Sequence, residues 1–276
     1  LSDHAEYLTD AQWRYFTQVS NGAYQPGRFV TINGFEWSNS EVGHRNLYYP
    51  GAGGPLIRYT DNAGSTLERL YATAAQHGAL IVPHHSANAT MGVDWDTPHE
   101  ATHVRLVEVY SIWGNSERPA QEGNPRPIRN YGGEMAGRHV LDALDRGFRL
   151  GFVGGGDIHD GRPGDDLHRY QPRPENYKNL WRQGLMGVWA KTLTREGIWE
   201  ALWNRRVYAT TNVRVILRFE VCGKPMGMTV AAGPRRPIRV HALSEEPIAR
   251  VDIVRNGRDA HVLYPDEHEV DWAVQD

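Results

Sequence analysis

Five short segments of the chain combine good metal ligands with glycine or with the predicted end of a strand. They are Ser2-Asp3-His4, Gly34-Phe35-Glu36-Trp37-Ser38, Gly43-His44-Arg45-Asn46, Val82-Pro83-His84-His85-Ser86 and Gly154-Gly155-Gly156-Asp157-Ile158-His159. Imidazole nitrogens and carboxylate oxygens without thiolates suit zinc, manganese or iron, whereas calcium prefers oxygen ligands alone. The segments together predict a site for divalent metal ions.

The spacing within these segments indicates which side chains share a face. Asp157 and His159 are two residues apart, so an extended backbone points both the same way, and the glycines before them allow close approach of other groups. The adjacent His84 and His85 would point in opposite directions, which predicts that one of them faces the site. Burying Glu36 is costly unless it is paired or metal-bound, although strand alternation could also turn it to solvent. Each segment alone also fits an ordinary turn or strand end, and their combination favours a shared site.

The elements that would position these residues alternate between strands and helices. Predicted strands are 29–35, 46–49, 79–82, 104–110, 152–153 and 187–191, and predicted helices are 66–77, 137–146 and 194–205. Such alternation predicts a parallel α/β architecture, in which functional residues collect in the loops that follow the strands. From about residue 216 the helical periodicity disappears and Asn256-Gly257 marks a hairpin turn. We therefore predict an α/β domain over 1–215 and a β-rich extension, a small β-sandwich piece, over 216–276.

Composition narrows the possible partners. The 30 basic and 33 acidic residues give a net charge of −3, which provides no basic field for a nucleic acid. A single cysteine, Cys222, excludes an intrachain disulfide and a cysteine-rich zinc site. No apolar run approaches the roughly 20 residues that a membrane-spanning helix needs. These features indicate neither a nucleic acid nor a membrane as a partner.

The order of the five segments resembles the PHP (polymerase and histidinol phosphatase) superfamily. Asp-His, Gly-x-Glu, a histidine entering a strand, Pro-His-His and Asp-x-His follow one another as in that family. Segments 187–190 and 206–211 also resemble a branch of it with a β-rich C-terminal extension. The resemblance implies an α/β fold, a distorted seven-stranded (β/α) barrel with a trinuclear metal centre that hydrolyses phosphate esters. We therefore expect such a barrel, N-terminally incomplete, with a small-molecule phosphate ester as its substrate.

The resemblance also implies roles for individual residues. Glu36 would bridge two metals, with His44 and His85 completing the second; His85 is preferred to His84 because Ser86 holds the place of the proline that usually follows the family's histidine. The remaining implied ligands are Asp157 for the first metal and His4 and His159 for the third, with Asp3 and His84 as further candidates. The cofactors would be two or three zinc, manganese or iron ions. The family's opening His-x-His is missing here, because the chain starts at Leu1 and reaches Asp3-His4 directly, and we expect that segment to have been lost from this sequence.

The expected reaction is hydrolysis of a phosphate ester by a metal-bridging hydroxide. Asp157 and His159 would move protons, and Arg45 and Arg162 would stabilise the charge of the phosphate. Glu108, on a predicted strand, is expected either to orient a ligand histidine or to make an ordinary internal hydrogen bond.

Two alternatives stay open. An amidohydrolase-type enzyme would cleave an amide or a lactone with the same metals, but it would need a lysine near the ligands, and the chain has only Lys178, Lys191 and Lys224. A degenerate, non-catalytic protein would instead bind a ligand on an aromatic platform. The candidates for that platform are Trp95, Trp113 and Trp181.

Overall fold

The structure is a computed structural model that describes residues 2–61, 66–97, 102–159, 180–231 and 233–276. Its first sheet is antiparallel and contains β1 (Gly34–Trp37), β2 (Arg45–Tyr48) and β3 (Leu80–Pro83). A second sheet contains β4 (Leu106–Ser111), β5 (Gly114–Asn115) and β6 (Gly151–Gly154), of which β4 and β6 are parallel. Strands β7 (Leu185–Val188) and β8 (Val207–Thr210) form an antiparallel pair. The candidate ligands lie on or beside β1, β2, β3 and β6.

The expected seven-stranded (β/α) barrel is wrong. The described strands form small sheets of two to four strands, and no closed barrel is present among them. A (β/α) barrel requires parallel neighbours throughout, but β4–β6 is the one parallel ladder between named strands in the described part of the chain. Apolar bursts separated by helices predict where strands lie, but they carry no information about the direction in which those strands pair. The sequence pattern therefore located most strands and misassigned their topology.

The helices of this region are α1 (Asp10–Ala23), α2 (Leu67–His77), α3 (Val140–Asp145) and α4 (Arg195–Trp203). The predicted C-terminus of α2 and the predicted N-terminus of α4 are confirmed. Gly78 ends α2 with a φ of 61°, and Thr194 caps the start of α4 by accepting a hydrogen bond from the amide of Gly197 at 3.1 Å. Helix α3 is shorter than its predicted range. Helix α1 was not predicted, although Thr9 and Gln12 form a capping box at its start.

The main core lies between the first sheet and helices α1 and α2. Trp13 of α1 packs edge-to-face on Phe35 of β1, and Leu70 of α2 belongs to the same buried cluster. Phe35 and Trp37 point into this core because alternate residues of a strand share a face. Glu36 must therefore point to the opposite face, where the candidate site lies.

The C-terminal region is antiparallel throughout its described strands. One sheet has the order β10-β9-β11-β14, with β9 (Ile216–Val221), β10 (Lys224–Pro225), β11 (Pro237–Ile248) and β14 (Glu267–Gln275). A hairpin of β12 (Val251–Arg255) and β13 (Arg258–Leu263) turns at Asn256 and Gly257, both with positive φ. Ile238, Val240 and Ile253 bury the face between the two sheets. Across the described chain, no helix has the length and apolar character to cross a bilayer.

Candidate metal centre

Glu36 is the centre of a group of histidines. Its side chain is 5% exposed, and its Oε1 lies 2.8 Å from His44 Nδ1, 3.3 Å from His4 Nδ1 and 3.4 Å from His84 Nε2. Ser38 lies two residues further along the chain and donates to the same oxygen at 3.2 Å. The strand alternation that could have exposed Glu36 instead directs it into a buried pocket of imidazoles.

His44 is brought to Glu36 by a tight turn before β2. Gly43 has a φ of 93°, and a Cβ on it would lie 2.6 Å from Val93 Cα, so the turn requires glycine. The amide of His44 donates to the carbonyl of Met91 at 3.2 Å, and Ser40 Oγ lies 3.3 Å from His44 Nε2. These contacts fix the ring with Nδ1 directed at Glu36.

His84 and His85 both face the site, so the expectation that one of them would point away is wrong. The reason is the backbone: His85 has a φ of 34°, outside the extended region in which neighbouring side chains diverge. The two rings lie 4.0 Å apart between centroids, and the His85 ring lies 5.1 Å from that of His44. Positive φ is unfavourable for a residue with a side chain and tends to occur at functional sites.

Glu108 of β4 holds this strained segment. Its Oε1 accepts a hydrogen bond from the backbone amide of His85 at 3.2 Å, so it positions the main chain of the histidine and not its ring. Burial raises the pKa of Glu108 to about 7, and the negative charge of Asp157 acts in the same direction. A Cβ on Gly155 would lie 2.4 Å from Glu108 Oε2, which shows why glycine stands there.

Asp157 closes the group from the opposite side. Its Oδ2 lies 3.6 Å from His84 Nδ1 and 3.8 Å from His85 Nε2, and it also accepts a hydrogen bond from the indole of Trp113. Asp157 has a φ of 49°, a second strained non-glycine residue beside the histidines. The glycines before it are closely approached, as the sequence predicted: a Cβ on Gly154 would lie 2.5 Å from the carbonyl oxygen of Leu185.

Four residues have the geometry to hold a metal ion. Glu36, His44, His84 and His85 are buried and each offers a ligand atom, and these atoms all lie within 4.8 Å of one another. Both ring nitrogens of His84 and Nδ1 of His85 are buried without a hydrogen-bond partner. Buried polar atoms are normally satisfied, because leaving one unpaired costs about 1–3 kcal/mol. Metal coordination would satisfy such atoms, and the donor set fits a divalent transition metal.

The pKa shifts of Glu36 and His85 also favour the protonation states that bind metals. Burial alone would raise the pKa of Glu36, but the charge of His84 and the hydrogen bond from His44 outweigh it and hold that pKa well below its usual range. Burial lowers the pKa of His85 well below its usual range, and the neighbouring His84 lowers it further. Glu36 is therefore ionised and His85 neutral at neutral pH, the forms that bind metals.

For His84, burial acts downward on the pKa, but Glu36 and Asp157 together raise it well above its usual range. Burial raises the pKa of Asp157, yet the charge of His84, whose Nδ1 lies 3.6 Å away, lowers it overall. A positive charge on His84 thus stabilises two carboxylates, the role that a bound cation would take over.

His4 and His159 lie at the outer side of this group. Their Nε2 atoms are 3.4 Å apart, and His159 is exposed. His4 also contacts Ser38 through Nδ1. Asp3 contributes differently from its predicted role, because its side chain is exposed and its backbone carbonyl accepts the amide of Glu36 at 2.9 Å.

Arg45 does not face the site, so the expected contact with a phosphate is not seen. It lies on the same face of β2 as Leu47 and is fully buried, and its Nη1 donates to the carbonyls of Val42 and Gly43 at 2.6 Å each. Adjacent strand residues point to opposite faces, so the residue next to His44 is directed into the core. Arg162 lies outside the described residues.

The three tryptophans of the predicted platform do not share an exposed surface. Trp95 is buried in the main core, and Trp113 is buried against Asp157. Trp181 is half-buried, and its indole donates to the carbonyl of Pro127 at 3.0 Å. The predicted platform is therefore wrong, and Trp113 belongs to the candidate site instead.

A cavity of about 460 Å³ opens onto the cluster. Sequence reasoning missed several residues that line it: Glu6, Tyr7, Ser38, Ser40, Tyr59, Thr60, Met91 and Tyr131. Ser38 could have been found, since it follows Glu36 at a spacing of two on one strand. No local signal marks the others, because distant loops bring them to the cavity. A larger cavity of about 900 Å³ lies between α3 and the C-terminal strands and contains none of the candidate ligands.

Comparison with known proteins assigns the chain to a family. The model of the family described as "Protein of unknown function (DUF3604)" matches residues 2–111 and 145–224, and the chain belongs to this family. The match includes every candidate ligand named above. Residues 112–144, between the two matched stretches, lie outside it.

Three chlamydial proteins are similar over almost the whole chain. An uncharacterized protein of Chlamydia pneumoniae is 28% identical over 282 residues, or 99% of this chain, and uncharacterized proteins of Chlamydia muridarum and Chlamydia trachomatis are each 29% identical over 98% of it. The chain spans 44% of the length of each of these relatives. No solved structure matches it significantly.

Proposed function

We propose that the chain binds divalent transition metal ions at Glu36, His44, His84 and His85 and hydrolyses a phosphate ester. The observation that carries this proposal is the convergence of four buried residues whose donor atoms lie within 4.8 Å of one another, two of which, His84 and His85, have ring nitrogens without hydrogen-bond partners. The resemblance of the motif order to the PHP superfamily supports the reaction, since that family hydrolyses phosphate esters at a metal centre.

The surrounding residues support more than one ion. Asp157 lies on the far side of His84 and His85, and His4 and His159 bring two further imidazoles together. We propose that Asp157 holds a second ion together with shared ligands, and that His4 and His159 hold a third. Zinc, manganese and iron fit the imidazole and carboxylate donors.

Bound metal ions would supply Lewis acidity and lower the pKa of a coordinated water toward neutrality. The chain's own groups would position the ester and move protons. Asp157 is ionised and would accept a proton, although its lowered pKa makes it a weak base. His159 is exposed at the cavity, where it could protonate the leaving group. Trp113 donates to Asp157 and fixes its orientation.

A chromogenic phosphate ester tests the reaction. The chain is purified, loaded with Mn²⁺ or Zn²⁺ and assayed with p-nitrophenyl phosphate, and Glu36→Ala or Asp157→Ala should each lower the rate at least roughly a hundredfold. The matched control is His241→Ala. His241 lies 2.8 Å from Glu269, as His44 does from Glu36, but in an exposed pair of the C-terminal sheet. Unchanged rates in both cluster variants would remove the mechanism.

Hydrolysis of an amide or a lactone is the second candidate. It is favoured by the lining of the cavity, which has no lysine or arginine among the described residues to offset the charge of a phosphate. Against it, Lys191 and Lys224 are exposed and do not line the cavity, while Lys178 lies outside the described part of the chain. Assays with a lactone and an aryl amide under the same metal conditions separate the two reactions.

A non-catalytic role would leave the cluster without a metal requirement. Elemental analysis of the purified chain distinguishes it. The enzyme should carry at least about one transition metal ion per chain, and a degenerate relative that binds through other surfaces should carry none in stoichiometric amount.

A further inference from the structure

The cavity above the cluster has room for far more than a phosphate group. Its volume of about 460 Å³ lies in the range of pockets that hold whole small molecules, roughly 300–1,000 Å³. The cavity is lined by residues of the cluster and by four aromatic residues: Tyr7, Tyr59, Trp113 and Tyr131. The residues that line the cavity therefore determine which organic group can be attached to the phosphate of the substrate.

One wall is coupled directly to the cluster. Trp113 is buried, and its indole donates to Asp157. The Trp113 ring packs edge-to-face on Tyr131, with centroids 5.3 Å apart and an interplanar angle of 64°. Aromatic pairs in this geometry attract each other beyond their burial. The ring of Tyr131 is thus fixed relative to a candidate ligand.

The backbone of Tyr131 is held in an unfavourable conformation at the tip of a turn. Its φ of 51° is rare for a bulky aromatic residue. The turn is fastened by Gly133, whose amide donates to the carbonyl of Asn130 at 3.0 Å, and by Asn88, whose side-chain amide donates to that same carbonyl at 3.2 Å. Strain that the surrounding structure maintains is typical of residues presented to a ligand.

The lining also contains two exposed tyrosines. Tyr7 is 82% exposed and packs edge-to-face on His4 with centroids 5.5 Å apart, and Tyr59 is 39% exposed. Tyrosine presents a large apolar ring at a low entropic cost of ordering. An exposed ring beside a candidate metal ligand is well placed to cover a bound molecule.

The charges in the lining favour an uncharged group. Its carboxylates are Glu6, Glu36 and Asp157, and no lysine or arginine accompanies them among the described residues. A bound cation would offset Glu36 and Asp157 near the phosphate. Glu6, which is not one of the proposed metal ligands, would repel a second negative charge on the rest of the substrate.

The aromatic wall also lies outside the family match. Trp113 and Tyr131 belong to residues 112–144, between the stretches that the family model covers, whereas the candidate ligands lie within them. The shared part of the chain therefore supplies the cluster, and the unmatched segment supplies the wall. Selectivity for a particular substrate is expected to reside in such a segment.

We propose that the substrate of this site carries a flat, uncharged aromatic ring on the group attached to its phosphate, and that Tyr131, fixed by Trp113, selects that ring. This inference rests on the proposed phosphoesterase function. A flat ring stacked on Tyr131 would bind more tightly than a puckered ring of the same size, because an aromatic face packs well only against another flat surface.

Binding of two phosphonates tests the proposal. Benzylphosphonate and cyclohexylmethylphosphonate have the same number of carbon atoms and the same metal-binding group, and they differ in the flatness of the ring. Calorimetric titration of the Mn²⁺-loaded chain should show benzylphosphonate binding roughly threefold to tenfold more tightly. Tyr131→Ala should abolish the difference and Tyr131→Phe should keep it.

The matched control is Tyr264→Ala, which removes another exposed tyrosine far along the sequence in the C-terminal region and should keep the preference. Equal binding of the two phosphonates, or a preference that survives Tyr131→Ala, overturns the inference. Competition by adenosine monophosphate distinguishes the source of the ring: strong competition identifies a nucleobase, and its absence identifies a simple aryl group.

Parallel hydrolysis assays separate this inference from the function on which it rests. A ring preference in binding without hydrolysis of benzyl phosphate removes the phosphoesterase reaction and leaves Tyr131 as the selector of a ring. Hydrolysis of benzyl and cyclohexylmethyl phosphates with equal kcat/KM and no binding preference removes Tyr131 as the selector of a ring and leaves the phosphoesterase reaction. Failure of both phosphonates to bind overturns both proposals.

Discussion

Two groups of histidines and carboxylates in the described part of the chain have different architectures. In the first, His44 and His84 approach one oxygen of Glu36, and His85 lies beside them. In the second, a single histidine, His139, lies between two carboxylates: its Nε2 is 3.4 Å from Glu134 and its Nδ1 is 3.6 Å from Asp142. Both groups are rich in metal-binding residue types.

The carboxylates of the second group already have partners on the backbone. Glu134 accepts the amide of Ala120 at 2.7 Å, and Asp142 accepts the amide of His139 at 2.8 Å, where it fastens the start of α3. In the first group, three buried nitrogens of the neighbouring His84 and His85 lack hydrogen-bond partners, whereas in the second group only Nδ1 of the single His139 does. Several unpaired donors that converge on one point, and not the nearness of one histidine to carboxylates, therefore mark a candidate metal centre.

The largest expected effect comes from removing the shared carboxylate. Glu36→Ala should weaken Mn²⁺ or Zn²⁺ affinity by at least roughly a hundredfold, because Glu36 supplies the negative charge and the central oxygen of the group. Calorimetric titration measures this. Glu134→Ala is the matched control and should keep the affinity of the unmodified chain; a comparable loss in both variants would erase the distinction between the two groups.

Substitution of the histidines should have the next largest effect and should distinguish the cluster at Glu36 from the group at His139. His84→Ala and His85→Ala should each weaken metal affinity by roughly tenfold or more, since each removes a buried donor. His139→Ala should leave metal affinity unchanged and lower the free energy of unfolding by about 1–3 kcal/mol, because it removes a buried side chain and its contact with Glu134. Metal titration and urea unfolding of the three variants measure both quantities. Weaker metal binding in His139→Ala would contradict its structural role.

A smaller effect is expected from Glu108, which holds His85 in its strained conformation. Glu108→Ala should weaken metal affinity roughly tenfold, as is typical when a residue that orients a ligand is lost. Glu108→Gln keeps an oxygen that can accept the amide of His85 and should restore most of the affinity. The d–d absorption spectrum of the Co²⁺-loaded variants reports the geometry at the ion. Equal losses of metal affinity in Glu108→Ala and Glu108→Gln would show that the hydrogen bond to the amide of His85 does not support metal binding.

Gly155→Ala should have the smallest effect of the series. Its Cβ would press on Glu108 Oε2 and displace the carboxylate from His85, which should weaken metal affinity roughly threefold. Gly156→Ala is the control, since a Cβ there would meet Gln183 and not Glu108. Combining Gly155→Ala with Glu108→Ala should add no further loss, because both act through one contact. An additive loss in the double variant would place the effect of Gly155 elsewhere.

The sequence predicted the composition of the candidate site better than its geometry. Ligand types at strand ends identified Glu36, His44, His85 and Asp157 as neighbours, because a buried strand end with a histidine or carboxylate is costly without a partner. Extended-strand reasoning failed at His84, since a positive φ at the next residue turns both rings inward. Such a backbone angle is imposed by contacts from distant segments, and no local residue pattern encodes it.

The fold was less predictable for a related reason. Most strands and helices lay close to their predicted ranges, but the pairing of β1, β2 and β3 is antiparallel, and no barrel is formed by the strands described. Local periodicity records burial and not strand direction. Tyr131 could not be predicted at all, because its place at the cavity depends on a turn fastened by Asn88, more than forty residues earlier.

The most direct test of the central claim is anomalous scattering from crystals of the chain grown with Zn²⁺ or Mn²⁺, recorded at the absorption edge of the metal. We expect a peak within about 2.0–2.2 Å of Glu36 and of nitrogens from His44, His84 and His85. No peak is expected between Glu134 and His139. Saturating metal with no peak at Glu36, or a peak at His139 instead, would contradict a metal centre at Glu36.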